Sequence, residues 1–411
     1  MSQKSFAVAA FVSLAFAALS YTNAAPPVDW PSWHGPTLDA KSPDTGLLKQ
    51  WPAEGPKQLW NLQGIGKGFS TVAIADGMIY TTGDSDDKIL NLFALDLAGK
   101  VKWAVEFDKA WDVVPGARST PTFDNGKLYV ISGHGRIGCL DAKTGKQLWT
   151  RQMSDFGGKP HEWGYAESVL IQGNLALLTP GGKNCIVALD KNTGNTVWMS
   201  TGFEAPAHYG SILPITFENT PLLLAGTGGG LVCFDARTGK ALWSNPWCKN
   251  NVANCPTPAY ADGYVFWANG YGKGGICMKL KTVNGKVAAD VAWTTKQMDC
   301  HHGGYIIHKG YIYGNHNAGW TCLDLKTGRQ MWNERAVGKG SLTYADDMLY
   351  LFSEKDGLAG LAAFSPQGLQ MKGTFQVQGE GPSWAHPVII GGRLYLRYDT
   401  NLYCFDVKAS N

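Results

Sequence analysis

The chain has 411 residues, with 36 Lys and Arg against 33 Asp and Glu, a net charge of +3 and only 17% charged residues. That balance lacks the basic excess with which a protein grips a nucleic-acid backbone. Fifty-one glycines beside 44% hydrophobic residues exclude disorder and call for many short buried strands joined by tight turns.

From the N-terminus, Lys4 precedes an apolar run from Phe6 to Leu19, followed by the small residues Ala24 and Ala25. This pattern predicts a secretory signal over residues 1–25, because the run is shorter than the ~20 residues a spanning helix needs. No Cys lies near the cleavage point, so a lipid anchor is not expected. The mature chain is expected in the periplasm or outside the cell, as a monomer without a membrane span. Residues 26–56 form a lead-in that contains W-P-S-W-H-G-P at 30–36.

A repeat then takes over. It reads D-A-K-T-G-K-Q-L-W at 141–149, D-K-N-T-G-N-T-V-W at 190–198, D-A-R-T-G-K-A-L-W at 235–243 and D-L-K-T-G-R-Q-M-W at 324–332. Weaker copies place Asp96, Lys279, Ser365 and Asp406 at the Asp position. The spacing averages about 44 residues, the length of a propeller blade. Within each copy the Asp accepts from turn amides, Gly supplies positive φ, and Trp packs between neighbouring blades. A second hairpin signal precedes the motif, as in D-N-G-K-L-Y at 124–129 and A-D-G-Y-V-F at 261–266, so each repeat supplies four strands. Trp60 is a Trp strand without an Asp strand, and Asp406 is an Asp strand without a Trp. The sequence therefore predicts an all-β fold over residues 57–408: a single eight-bladed β-propeller of four-stranded antiparallel blades, closed by the N-terminal strand completing the last blade.

Of nine cysteines, Cys139, Cys233, Cys277, Cys322 and Cys404 each stand two residues before the Asp position, where a small buried residue is wanted. Cys248 and Cys255, close in one loop region, form a candidate disulfide in an oxidising compartment.

The A/C-x-D-x-x-T-G-x-x-x-W repeat resembles the tryptophan-docking motif of pyrroloquinoline quinone (PQQ)-type propellers, seen in quinoprotein alcohol dehydrogenases and in the outer-membrane assembly lipoprotein of the same fold. The resemblance implies a propeller, and with it PQQ and Ca²⁺ as possible cofactors or an envelope protein as a partner. The adjacent Cys-Cys pair of the alcohol dehydrogenases is missing here. So is C-x-x-C-H, which excludes a covalently attached haem, and so is a lipobox Cys.

Ligands of propellers bind where the inner strands begin. Aligning the repeats places Phe69, Arg118, Tyr165, Ser211, Cys255, His302, Lys339 and Trp384 at the channel mouth. Two residues further along come Thr71, Thr120, Glu167, Leu213, Thr257, Gly304, Ser341 and His386. His134, His161, His208, His301, His302, His316 and His386 fall in loops of that face. Because His301 and His302 are adjacent on an extended segment, one of them is expected to face the channel. His302, His386 and Glu167 are the candidate ligands for a divalent metal, and Glu167 and His302 the candidate catalytic pair. Arg118, Lys339, Arg136 and Arg397 suit an anionic ligand, Trp384 or Trp163 a planar ring, and Tyr165 and His208 complete the candidate cofactor pocket. Three readings follow: a quinoprotein-like oxidoreductase, a cofactor-free or metal-dependent polysaccharide-active enzyme using a His and Tyr165 with Arg118 on a uronate, and a scaffold for envelope assembly.

Overall fold

The computed structural model of the chain describes residues 29–317 and 319–409, so the expected secretory signal lies outside the described residues. Eight antiparallel sheets follow one another around a ring. Blade 1 comprises Ala73–Ala75, Met78–Asp84, Ile89–Asp96 and Val101–Lys109. Blades 2 to 7 repeat the pattern, and blade 8 joins Val388–Ile390, Arg393–Tyr398 and Asn401–Asp406 to the N-terminal strand Lys57–Leu62. Trp60 thus pairs with Cys404 on the last blade, as the incomplete repeats at the two ends require. Among the described residues, no helix is long and apolar enough to cross a membrane.

The repeated motif acts between blades. The indole Nε1 of Trp103, Trp149 and Trp293 donates to the backbone oxygen of Ala142, Lys191 and Leu325, each in the next blade's turn. Inside that turn the Asp carboxylate caps the chain: Asp141 accepts from the Thr144 amide and hydroxyl, at 2.9 and 2.7 Å. Its carboxyl is held below the usual carboxylate range, first by the Thr144 hydroxyl. The turn glycine then lies flat beneath the preceding blade's Trp. At Gly239, whose φ is +69°, an added Cβ would stand 2.5 Å from the Trp198 ring. Gly239→Ala therefore combines left-handed strain with a ring clash and should cost about 1–3 kcal/mol, read as a lower urea midpoint at unchanged slope.

A bulge beside the Trp position interrupts the pairing of the two outer strands in every blade, for instance between Cys233 and Phe234. It adds the twist that fits a flat sheet into a radial wedge. The five register cysteines lie on the third strands of their blades and are fully buried. All nine cysteines are free, which overturns the Cys248–Cys255 disulfide. Cys248 is buried with its Sγ 3.4 Å from the Trp267 carbonyl, whereas Cys255 opens toward the channel.

The lead-in crosses the face opposite the channel mouth. Trp30, 1% exposed, exchanges backbone hydrogen bonds with Ile74 of blade 1, and Pro31 accepts from Phe123 of blade 2. The chain then turns through His34, Leu38 and Ala40, all at positive φ, and Lys41–Ser42 adds a parallel fifth strand to blade 7. Three non-glycine residues in that region persist only where packing over-determines them. At the turn, Trp33 and His34 rise into the central channel and stack at 4.3 Å.

Candidate functional site

Around the channel, residues at the entries of the inner strands are linked through side-chain hydroxyls. The Thr71 amide donates to Thr120 Oγ1, Thr120 to Ser168 Oγ, Ser168 to Ser211 Oγ, and Ser211 to Thr257 Oγ1, at 3.0–3.2 Å. Thr71 and Ser341 close the other side by donating to the carbonyls of His386 and Ala385. This belt sets the true register. Ser168, not Glu167, is the blade 3 member, and Ser211, not Leu213, is the blade 4 member. In the row above them, Ala166 and Tyr209 therefore replace Tyr165 and Ser211.

A one-residue slip reverses a side chain, and it moves two expected site residues into the blades. Tyr165 packs among Tyr129, Met153, Phe156 and Val169 and donates its hydroxyl to the Pro180 carbonyl at 3.0 Å. Glu167 is buried away from the mouth, with Oε1 accepting from the Thr179 amide at 2.8 Å and Oε2 unpartnered. Burial pushes its carboxyl up to about 7.

Above the belt lies a cup of about 320 Å³, within the range of small-molecule sites. Trp33 forms its floor, where the lead-in plugs the channel. One wall is a continuous run of stacked groups. Arg118 lies 5.6 Å over Phe69, Phe69 stands 4.4 Å from Trp384, and Trp384 stacks at 4.3 Å on His302. His302 lies 3.6 Å from His301, and His301 stands 4.8 Å from Tyr271. Trp163 and Tyr209 face this wall, and the Tyr209 hydroxyl meets His161 Nδ1 at 2.6 Å.

Both His301 and His302 line the cup, contrary to the alternation expected of an extended segment. Residues 301–303 form a bend rather than a strand, and Gly304 at φ +67° releases the alternation. The Lys339 ammonium donates to His301 Nδ1 at 2.9 Å, so the Nε2 proton points to the Tyr271 oxygen at 2.8 Å. Lys339 also pairs with Glu354 at 2.8 Å, whose other oxygen stands 3.9 Å from His302 Nδ1. Burial works against the Glu354 carboxylate, yet His302 and Lys339 beside it bring it down to about 2. Burial presses both imidazoles toward the neutral form, His301 to about 3 with His302 and Lys339 adding to the effect. Burial likewise pushes the Cys255 thiol up to about 12.

Lys339 therefore stands behind the wall rather than on it. His386 sits below, its Nε2 3.0 Å from the His302 carbonyl and its ring 4.5 Å from Trp33. His208 is buried beside His161, with Nδ1 accepting from the Asn254 amide. Arg118 remains at the mouth, but its guanidinium already donates to the carbonyls of Val113, Val114 and Gly116. Arg397 is 1% exposed and bonded to backbone, and Arg136 donates to Gln147 on the outside of its blade. The set Glu167, His302 and His386 is not brought together as a metal site. Sequence reasoning missed Trp33, Tyr209, Tyr271 and Glu354. The last two follow the second strands of blades 5 and 7, in loops the alignment by inner strands did not reach.

The family model PQQ_2, described as outer membrane protein assembly factor BamB, matches residues 91–334, more than half of the chain. The chain belongs to this PQQ-propeller family. Among curated relatives, a tetrathionate hydrolase of Acidithiobacillus ferrooxidans is 23% identical over 74% of the chain and 53% of its own length. The dehydrogenase subunit of a quinone alcohol dehydrogenase from Gluconobacter oxydans is 30% identical over 41% of the chain and 25% of its own length. The chain thus matches about half or less of the length of these relatives. The crystal structure of BamB from Moraxella catarrhalis superposes with a TM-score of 0.62 at 15% identity, over 85% of this chain and 99% of that one. At that identity the likeness establishes the propeller alone.

The PQQ-propeller relatives make a quinone with Ca²⁺ the first group to test. The aromatic walls and Trp33 floor suit a planar ring. The donor set does not suit Ca²⁺, which takes six to eight oxygen ligands with carboxylates among them: among the described residues, no Asp, Glu, Asn or Gln lines the cup. The quinone–calcium pair does not fit this site.

Proposed function

We propose that the protein is an exported PQQ-type propeller that binds a small, planar, anionic molecule in the plugged channel cup. The observation that carries this reading is the floor: Trp33, rising from the lead-in, converts an open channel into a closed cup walled by Phe69, Trp163, Tyr209, Trp384 and Tyr271. A pure scaffold has no need of such an enclosure. Arg118 at the mouth supplies the positive charge for an anionic edge, and stacking between aromatic faces supplies the binding energy. Export to the cell envelope is consistent with the apolar run at residues 6–19.

The test is a titration of the mature protein with PQQ, followed by tryptophan fluorescence, with and without Ca²⁺. Saturable one-to-one quenching that is indifferent to Ca²⁺ and at least tenfold weaker in Trp384→Ala is expected. Absence of saturable quenching, or equal affinity in Trp384→Ala, overturns the reading.

A second reading rests on the rim. Val113, Val114, Trp247, Val252 and Tyr271 are each about 40–50% exposed in loops of this face, which suits an envelope protein partner laid over the cup. It would gain if a tagged mature protein cross-linked, through this rim, to one envelope protein and Trp247→Asp abolished the adduct.

A further inference from the structure

On the cup wall, the thiol of Cys255 and one ring nitrogen each of His301 and His302 lie within 4.8 Å of one another. We propose that these three side chains form a binding site for a borderline-soft divalent metal, Zn²⁺ by chemical class, with an open coordination position facing the cup.

Four features carry the assignment. The donor chemistry is two imidazoles and a cysteine sulfur that gives up its proton on binding metal, the set that selects zinc-like ions over the calcium excluded above. In a tetrahedral site with bonds of about 2.0–2.3 Å, neighbouring donor atoms stand roughly 3.3–3.7 Å apart. The three atoms must therefore close by about 1 Å, a movement that side-chain rotation alone supplies. Eight of the nine cysteines are at most 1% exposed, and Cys255 is the one that opens to the cup. His302 Nδ1 is buried without a hydrogen-bond partner, and the Glu354 carboxylate 3.9 Å away is placed to orient that ring from behind, as carboxylates do for zinc-bound imidazoles.

His301 must give up one of its partners, Tyr271 on Nε2 or Lys339 on Nδ1. Lys339 can turn wholly to Glu354, to which it is already paired at 2.8 Å. Its ammonium is nonetheless a like charge beside the ion, so Lys339 should limit the affinity. With three protein ligands, the fourth position falls to water or to a donor atom of whatever occupies the cup, the arrangement of catalytic rather than structural zinc.

The site stands whether or not an organic ligand binds, and its test uses none. Mature, metal-stripped protein is titrated with Co²⁺ alone under reducing conditions. One equivalent should develop the visible bands of a tetrahedral cobalt ion together with a near-ultraviolet thiolate-to-cobalt charge-transfer band, and Zn²⁺ should bleach both. Cys255→Ser should lose the charge-transfer band. His302→Ala should bind at least tenfold more weakly, and Lys339→Met at least threefold more tightly. As a check without variants, one equivalent of Zn²⁺ should protect the Cys255 thiol of the wild-type protein from alkylation. A charge-transfer band that persists in Cys255→Ser, no band at one equivalent, or unprotected Cys255 would each overturn the assignment. Quinone quenching that survives such a failure leaves the cup's ligand reading intact.

Discussion

Arg397→Ala is expected to lower stability by about 3–5 kcal/mol, the cost of emptying a buried charged site and leaving its partners unpaired. The guanidinium is buried at the seam where the ring closes. It donates from Nη2 to Gly66, from Nη1 to Thr82 and the Thr81 hydroxyl, and from Nε to Asp399. Those acceptors belong to the segment after the closing strand, to blade 1 and to blade 8, so one side chain joins the two ends of the chain. Removing it strands backbone carbonyls in an apolar setting, at about 1–3 kcal/mol each if water does not reach them. Burial pushes Arg397 down only to about 10, which leaves it charged at neutral pH. A lysine there would be driven toward the neutral form and could not reach three separated oxygens, so Arg397→Lys should recover less than half of the loss. Urea unfolding measures the size, and hydrogen exchange locates it. Protection should fall first in residues 57–68 and in blade 8. A loss under 1 kcal/mol, or one spread evenly over the blades, would contradict the role of a closing latch.

Arg397 also illustrates which parts of the molecule its sequence makes legible. Position in the repeat placed it near the channel face and suggested an anion partner, but its partners are carbonyls from residues 66, 82 and 399, a convergence no local pattern encodes. The repeat, by contrast, was readable because every copy works locally, with Asp capping a turn, Gly lying under a ring and Trp reaching the next blade. The closure was readable for the same reason, since Trp60 and Asp406 each lack the half that the other supplies. Register at the channel was less secure. The inner strands of blades 3 and 4 carry no residue that marks their first position, and a slip of one in blade 3 exchanged Ser168 for Glu167. The floor of the cup lay outside the repeat altogether. Trp33 belongs to a segment with no second copy, and its place depends on Trp30 pairing with Ile74 of blade 1 and on Ala40 reaching Tyr344 of blade 7, contacts made on two blades that blade 8 separates.

Glu167→Gln is expected to remove a pH dependence of stability worth roughly 3 kcal/mol. The carboxyl is fully buried, with one oxygen bonded to the Thr179 amide and the other unpartnered, and burial raises it from 4.5 to about 7. The folded state therefore holds this proton more tightly than the unfolded chain does. Below about pH 4.5 both states are protonated and the full stabilisation is present. Between pH 4.5 and about 7 the unfolded state binds fewer protons than the folded one, so stability falls as pH rises, by up to about 1.36 kcal/mol per pH unit. Above pH 7 the loss is complete. Glutamine keeps an acceptor for Thr179 and carries no charge to desolvate, so the variant should match or trail the wild type at pH 4.5 and surpass it at pH 8. The gain at pH 8 will be less than 3 kcal/mol, because the buried amide N–H group lacks an acceptor and costs about 1–3 kcal/mol of its own. Unfolding free energies of both proteins measured across pH 4.5–8 decide the matter, since parallel curves would mean that water or a rearranged neighbour already serves the second oxygen. Asp84, raised to about 6 chiefly by burial, tilts the wild-type curve in the same direction, so the difference between the two proteins, rather than either slope alone, isolates Glu167.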